Sequence, residues 1–170
     1  GQATVAAEIL EQLPEGATPD LVIMPVGGGG LASGLSGYLS DVVAKENFIF
    51  TEPTGAPSLK TSLQTGSLVT LPKVDNFVDG AAVARIGELN FEMLKGFSPD
   101  QVLLVPENAI CVTLTEMLNL EGFVLEPAGA LSITALEMLG REKLAGKRVV
   151  CIVSGGNFDF ERLPDVKERA

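Results

Sequence analysis

The stretch VIMPVGGGG, residues 22–30, joins an apolar run typical of a buried strand to four consecutive glycines, and a helical pattern follows from Leu31. Glycine has no Cβ, so these residues can turn their backbone N–H groups toward an anion and let it come close. The helix adds the partial positive charge of its N-terminus. Two other interpretations of the four glycines fit less well: a flexible linker would have polar residues on both sides, and a tight turn needs only one or two glycines. The stretch therefore predicts a strand, a phosphate-binding loop and a helix in succession.

Strand-like and helix-like segments alternate along the rest of the chain. The apolar runs predict strands over residues 21–26, 48–51, 101–105 and 148–153. Apolar residues at helical spacing predict helices over residues 4–13, 31–44, 57–64, 83–95, 108–120 and 129–139. The strands VIMPV and VVCIV are apolar throughout, as burial on both faces of a parallel sheet requires. We therefore expect one α/β domain over residues 1–170, with helices layered around a mostly parallel sheet.

Composition excludes several classes of partner. The 170 residues are 46% hydrophobic and carry a formal net charge of -10. This charge would repel nucleic acid and anionic membranes. No apolar run approaches the roughly 20 residues that span a bilayer, and the first residues lack the basic start of a signal peptide. We expect no nucleic-acid or membrane partner and a cytoplasmic location.

Two cysteines and the lack of histidine narrow the possible chemistry. Cys111 and Cys151 lie far apart inside apolar segments, ICVTL and VVCIVS, and form no CxxC pair, so we expect two reduced core residues. Catalytic Ser-His-Asp and Cys-His arrangements, and most zinc sites, need an imidazole that this sequence does not contain. Any reaction must therefore obtain its proton transfer from another group.

Three polar or glycine-rich segments follow three of the predicted strands. GGGG follows Val26, Glu52-Pro53 follows Thr51, and SGGN, residues 154–157, follows Val153. In open parallel sheets, ligands bind beyond the carboxyl ends of the strands. A turn explains any one of these segments, but not all three at the same edge of a sheet. We therefore expect them to converge on one site.

Two alternatives to a simple phosphate-binding enzyme site remain open. The pattern Gly27-x-Gly29-x-x-Ala32 fits the degenerate dinucleotide-binding motif, and Glu52 ends the next strand, where an acid that binds ribose is expected. The chain could thus be the NAD-binding half of a Rossmann-type enzyme. It could also be a non-catalytic phosphate-binding or assembly module. A nucleoside triphosphate loop is excluded, because no Gly-Lys-Ser or Gly-Lys-Thr follows the glycines.

Five segments, in this order and spacing, resemble the fold type II pyridoxal phosphate enzymes: PVGGGGLASG, TEPTGAPS, FVDGAAVARIGELNF, LEPAGALS and VVCIVSGGNFD. Among these enzymes the chain is similar to the biosynthetic threonine ammonia-lyases, also called threonine deaminases or dehydratases, over essentially its whole length. The resemblance implies the second half of a catalytic domain, within a large domain of the tryptophan synthase β type. It also implies pyridoxal 5'-phosphate as the cofactor.

The resemblance assigns roles to particular residues. By this resemblance, the glycine loop and Leu31 would bind the coenzyme phosphate. The SGGN serine would hydrogen-bond the pyridine nitrogen, and Gly80 would lie against the ring. Glu126 would lie near the cofactor, although an acid at a helix N-terminus is also favoured by the helix dipole alone. The implied cofactor-binding residues are Gly27, Gly28, Gly29, Gly30, Leu31, Gly80, Glu126, Ser154 and Gly155.

The resemblance also implies a cation site, in a weakened form. Related enzymes often hold a cation through the glutamate matching Glu52 and the carbonyl matching Ala56. Some add an aspartate where this chain has Ser58. A hard divalent cation prefers several anionic oxygens, so a neutral hydroxyl at this position weakens the site. We expect a weak or monovalent cation site.

The Schiff-base lysine of these enzymes has no counterpart in this sequence. Lys60 of SLK lacks the family's following arginine, and we interpret it as part of a solvated helix face. We therefore expect no catalytic residue in this chain, and a partial catalytic domain without the lysine-bearing segment or a regulatory domain. The complete enzyme would be a homo-oligomer that converts L-threonine, or L-serine, by eliminating water. Threonine would give 2-oxobutanoate and ammonia for isoleucine biosynthesis, whereas this chain alone would be inactive.

Overall fold

A computed structural model describes all residues, 1–170, as helices on both faces of one sheet. The strands are β1 (Leu21–Pro25), β2 (Phe48–Pro53), β3 (Val102–Val105) and β4 (Val149–Cys151). The α-helices are α1 (Thr4–Gln12), α2 (Gly30–Leu39), α3 (Ser58–Thr65), α4 (Glu88–Leu94), α5 (Glu107–Glu116), α6 (Pro127–Leu139), α7 (Arg141–Leu144) and α8 (Leu163–Arg169). None of the helices is long and apolar enough to cross a membrane.

The sheet is entirely parallel, with the strand order β3-β2-β1-β4. β1 occupies the interior, where it pairs with β2 from Val22 opposite Phe48 and with β4 from Leu21 opposite Val149. The predicted α/β class is therefore confirmed. Because all strands run the same way, the segments that follow β1, β2 and β4 emerge at one edge of the sheet.

Alternate residues of β1 belong to two different cores. Val22 and Met24 pack in the larger core with side chains of α1, α2 and α4. Leu21 and Ile23 pack on the opposite face with Ala135 of α6. All five residues of β1 are buried, which explains why the run VIMPV shows no alternation of apolar and polar residues.

The predicted helix over residues 83–95 is wrong in its first part. The α-helix begins only at Glu88, after Gly87 in an extended conformation (φ -62°, ψ 141°). Residues 83–87 form a loop that buries Ile86 in the larger core. The apolar spacing that suggested a helix therefore arises from tertiary packing.

Three other elements are markedly shorter than the sequence predicts. The helix predicted over residues 31–44 is helical from Gly30 to Leu39, and the one over 108–120 leaves the α form after Glu116 for a π-helical turn, Met117–Glu121. The last strand spans only Val149–Cys151, so its predicted ends at 148 and 153 lie outside it.

Both cysteines are free, as expected for reduced thiols. Cys111 is fully buried, whereas Cys151 is only partly buried on edge strand β4, so the prediction of two core cysteines holds fully for the first alone. Burial raises the pKa of each thiol to about 11. Both are therefore protonated and poorly nucleophilic at neutral pH.

Candidate anion-binding cleft

A cleft of about 490 Å³ opens at the carboxyl ends of β1 and β4. The glycine loop forms one wall, and the segments that carry Gly80, Glu126 and Ser154 form the others. Its lining includes eight of the nine residues that the family resemblance assigned to a cofactor: Gly27, Gly28, Gly29, Gly30, Leu31, Gly80, Glu126 and Ser154. Gly155, the ninth, is outside the lining and contacts Glu126. The structure thus brings together segments more than 120 residues apart in sequence, from Gly27 to Ser154.

The glycine loop lines this cleft and carries unpaired backbone donors. The N–H groups of Gly27, Gly28 and Gly29 donate to no backbone carbonyl. Gly29 has φ +85°, which a residue with a Cβ rarely adopts, and α2 starts at the next residue. The first-turn N–H groups of α2 have no intrahelical acceptor either. Together with the helix dipole, these donors have the chemistry that an anion site requires.

Close backbone contacts explain why glycine occupies other positions around the cleft. A Cβ on Gly27 would lie 3.0 Å from the Gly80 carbonyl oxygen, and one on Gly80 would lie 2.9 Å from the Ala128 Cβ. A Cβ on Gly129 would overlap the Gly155 carbonyl oxygen. The cleft is therefore bounded by backbone that larger side chains would push apart.

Glu126 projects its carboxylate toward the segment that carries Ser154. A Cβ on Gly155 would lie 2.6 Å from Glu126 Oε1, and the Glu126 N–H donates to the Gly155 carbonyl oxygen (3.2 Å). Glu126 occupies the N-cap position of α6, yet its side chain makes no capping hydrogen bond. Its carboxylate is therefore free to face a ligand, while Ser154 is exposed at the cleft wall.

Neither Glu52 nor Pro53 lines the cleft, so the prediction that all three strand-end segments converge on one site is wrong for Glu52-Pro53. The Glu52 side chain is fully buried and accepts hydrogen bonds from the backbone N–H of Leu59 (2.7 Å) and Lys60 (3.0 Å), and from the Ser58 hydroxyl (3.3 Å). It thereby caps α3 from the end of β2. Burial raises its pKa from 4.5 to about 7, although the hydrogen bonds act in the opposite direction.

The position of Glu52 bears on two earlier interpretations. Its carboxylate cannot reach a ribose in the cleft, so the dinucleotide alternative is not favoured. No group of three or more His, Cys, Asp or Glu side chains is placed to hold a metal ion. The Ala56 carbonyl oxygen already accepts the Ser58 N–H (3.0 Å). A weak cation site at Glu52 and Ala56 stays a prediction.

The interpretation of Lys60 as a solvated side chain is wrong. Its Nζ donates a hydrogen bond to the Val102 carbonyl oxygen (2.8 Å), at the start of edge strand β3. The amine is therefore used to hold α3 against β3, away from the cleft. Because edge strands expose unpaired carbonyls, a lysine at this place also protects the edge.

Some residues of the site carry no signal in the sequence. Gln2 and Val5 line the cleft from α1 and the segment before it. Asn90 of α4 binds the glycine loop through the Gly28 carbonyl oxygen (2.7 Å). Both contributions depend on how helices pack against the loop, which no local motif encodes.

Comparisons with known proteins agree with this architecture. A profile of the family described as "Pyridoxal-phosphate dependent enzyme" matches residues 1–155. The L-threonine dehydratase biosynthetic IlvA of Bacillus subtilis is 46% identical over 170 residues, covering 100% of this chain and 39% of that protein. The enzyme of the same name from Halalkalibacterium halodurans is 41% identical and is covered to 40%. The chain thus spans about 40% of the length of these relatives.

Solved structures give the same result. The processed form of threonine deaminase isoform 2 from Solanum lycopersicum has a TM-score of 0.87 and 35% identity, with 100% of this chain and 49% of that chain covered. Maize serine racemase has a TM-score of 0.81 and 29% identity, with 99% of this chain and 52% of that chain covered. With the family match over most of its length and the cleft in the expected place, the chain belongs to the pyridoxal-phosphate dependent enzymes.

Proposed function

We propose that this chain is the cofactor-binding part of a threonine ammonia-lyase, which eliminates water from L-threonine to give 2-oxobutanoate and ammonia. One observation carries the proposal: unpaired N–H groups of Gly27, Gly28 and Gly29 share a cleft with Ser154 and Glu126. The similarity to threonine dehydratases over the whole chain supports the choice of substrate.

The residues of the cleft fit pyridoxal 5'-phosphate. The glycine loop and Leu31 would hold the phosphate, because they line the cleft, the N–H groups of Gly27, Gly28 and Gly29 have no backbone acceptor, and the backbone at Gly27 leaves no room for a Cβ. Gly80 would lie against the ring, where a side chain would clash with Ala128. Bound pyridoxal phosphate supplies an electron sink for the α-carbon of an amino acid.

Ser154 and Glu126 would set the reaction type. A serine hydroxyl can hydrogen-bond the pyridine nitrogen without forcing it to be protonated, as an aspartate would, and this favours elimination over transamination. The Glu126 carboxylate, free of any capping bond, would accept a proton or a hydrogen bond from a group in the cleft. Gly155 would hold this carboxylate in place through its contact with Glu126.

The proposal includes a second polypeptide segment. Threonine and serine cannot react without the Schiff-base lysine, which we place in an upstream half of the catalytic domain. We also propose that the complete enzyme is a cytoplasmic homo-oligomer. The chain then represents a partial catalytic domain and is inactive alone.

Complementation tests this proposal. The chain would be co-expressed with the upstream half of the Bacillus subtilis relative, which is 46% identical over the shared region. We expect a yellow complex that releases ammonia and 2-oxobutanoate from L-threonine and loses activity in Ser154→Ala. The exposed Ser40→Ala serves as the matched control, because Ser40 bonds only within its own helix. A complex that forms but neither becomes yellow nor releases ammonia would contradict the proposal.

The same preparation separates the alternatives. A non-catalytic phosphate-binding module predicts stabilisation of the chain by inorganic phosphate, without turnover in the complex. A dinucleotide-binding half predicts saturable NAD binding that is lost in Glu52→Gln. Because the Glu52 carboxylate is buried under α3, we expect no NAD binding at all.

A further inference from the structure

We propose that Asn90 is a positioning residue of the phosphate site: it holds the Gly28 peptide so that the Gly29 N–H faces the anion. The inference rests on the proposed function, since it concerns the same glycine loop. Asn90 lies 62 residues from Gly28 in the chain and is absent from the cleft lining, so it acts from behind the loop.

Two donors fix the Gly28 carbonyl group. Asn90 Nδ2 donates to the Gly28 oxygen at 2.7 Å, and the Gly87 N–H donates to the same oxygen at 3.1 Å. Both donors belong to the start of α4. The carbonyl is therefore drawn toward α4, on the side of the loop away from the cleft.

The planarity of the peptide carries this constraint to the next residue. In a trans peptide the C=O and the following N–H point in opposite directions, and the structure contains no cis peptide bond. With the Gly28 oxygen held toward α4, the Gly29 N–H points to the opposite side, where the cleft lies. This N–H donates to no backbone carbonyl, so it is available to an anion.

Asn90 is itself held in one orientation. The buried Ser33 hydroxyl has two acceptors within reach, Asn90 Oδ1 (3.1 Å) and the Gly30 carbonyl oxygen (3.3 Å), and its contact with Oδ1 favours the amide orientation in which Nδ2 faces Gly28. Gly87 must lack a side chain for this arrangement, since its Cβ would lie 2.9 Å from Asn90 Nδ2. The network Ser33, Asn90 and Gly28 thus links the first turn of α2 to the loop that precedes it.

Phosphate titration of the full chain tests the inference. Inorganic phosphate is the probe, and the readouts are its dissociation constant and the shift of the Gly29 amide signal in NMR spectra. We expect Asn90→Ala to bind phosphate about tenfold more weakly, because a charge-assisted hydrogen bond is lost or misdirected. The phosphate-induced shift at Gly29 should shrink more than the shifts of the other loop glycines. Asn119→Ala is the matched control, as Asn119 is an exposed asparagine outside the cleft.

A second variant, Ser33→Ala, tests the inference if Asn90→Ala does not fold. Ser33→Ala keeps Asn90 but removes the hydroxyl that orients its amide, so we expect a smaller loss of affinity in the same direction. The inference is overturned if the wild-type chain binds phosphate and both variants keep its affinity and the Gly29 shift. If the wild-type chain binds no phosphate, the proposed function fails together with the inference.

Discussion

Glu52 combines complete burial with a helix-capping role, and this combination predicts an unusual dependence of stability on pH. Its folded-state pKa of about 7 lies above the ordinary value of 4.5, so the folded chain binds this proton more tightly than the unfolded chain. The contribution of the Glu52 proton to the free energy of unfolding is therefore fully present below pH 4.5, the ordinary pKa, and is lost as the pH rises toward 7. Above that pH the cost of the buried charge stays constant.

Glu52→Gln removes this titration. Between about pH 5 and about pH 8 we expect the wild-type chain to lose roughly 2 kcal/mol more unfolding free energy than the variant does. Urea denaturation at the two pH values measures the difference. The exposed Glu11→Gln should retain the wild-type pH dependence. Equal pH dependence in the wild-type chain and Glu52→Gln would show that Glu52 titrates normally.

Two adjacent glycines of the loop should respond differently to alanine. A Cβ on Gly29 would meet Ile86 at 2.6 Å and would sit on a backbone with φ +85°, whereas a Cβ on Gly28 meets nothing within 4 Å. We expect Gly29→Ala to lower the unfolding free energy by about 2 kcal/mol. Gly28→Ala should stay within about 1 kcal/mol of wild type, but its methyl group would hinder an anion at the cleft wall. Denaturation and phosphate titration separate the two effects, and equal stability of the two variants would contradict the expectation.

At the level of single residues, the sequence predicts a site best when the residues lie in a local motif. Backbone chemistry alone predicts an anion at the four glycines, whereas SGGN taken alone predicts only a turn after a strand and gains its role from the family resemblance. Asn90 could not be predicted, because its role arises only when α4 packs behind the loop. Glu52 shows the opposite case. Its position after a predicted strand suggested a ligand contact, but its carboxylate oxygens accept hydrogen bonds from the first backbone N–H groups of α3.

Between elements, one buried hydroxyl ties α6 to the end of β4. Ser132 is fully buried, and its Oγ donates to the Ile152 carbonyl oxygen at 2.6 Å. Ile152 also donates its own N–H to Ile23 of β1. These bonds fix the backbone immediately before Val153 and Ser154, so the orientation of the cleft wall depends on α6.

Ser132→Ala should therefore loosen this wall. We expect the unfolding free energy to fall by about 1–2 kcal/mol, because a buried carbonyl loses its partner. Hydrogen exchange at the Ile152 N–H, which donates to Ile23 of β1, should become faster than in Ser40→Ala, whose hydroxyl bonds only within its own exposed helix turn. Unchanged exchange at Ile152 would mean that β1 alone fixes the wall.

The strands were easier to predict than the helices, for a physical reason. A strand buried on both faces must be apolar at every position, so the run VIMPV is typical of a strand in the interior of a parallel sheet. Helical spacing is less specific, because apolar residues in a loop can satisfy it by chance. Ile86 did so, since it packs on the glycine loop from residues 83–87 instead of from a helix.

For the whole molecule, two opposing forces act on the surface of the isolated chain. Several large apolar side chains are exposed, among them Phe160 at 61% and Leu120 at 75%. The outer edge of β4 has no neighbouring strand. Apolar surface and an open edge favour association, whereas the net charge of -10 makes the chains repel one another.

The balance of these forces predicts self-association that rises with ionic strength. Salt screens the repulsion between chains, since the Debye length falls from about 30 Å at 0.01 M to about 10 Å at 0.1 M, but it leaves apolar contacts intact. Phe160→Ser should shift the association to higher protein concentration, because it removes one of the largest exposed apolar groups. Gln64→Ser, an exposed polar change with no effect on charge, is the control. Size-exclusion chromatography with light scattering, at several concentrations and two salt levels, measures the shift. A stable monomer under all these conditions would mean that the exposed apolar groups are too scattered to bind a second chain.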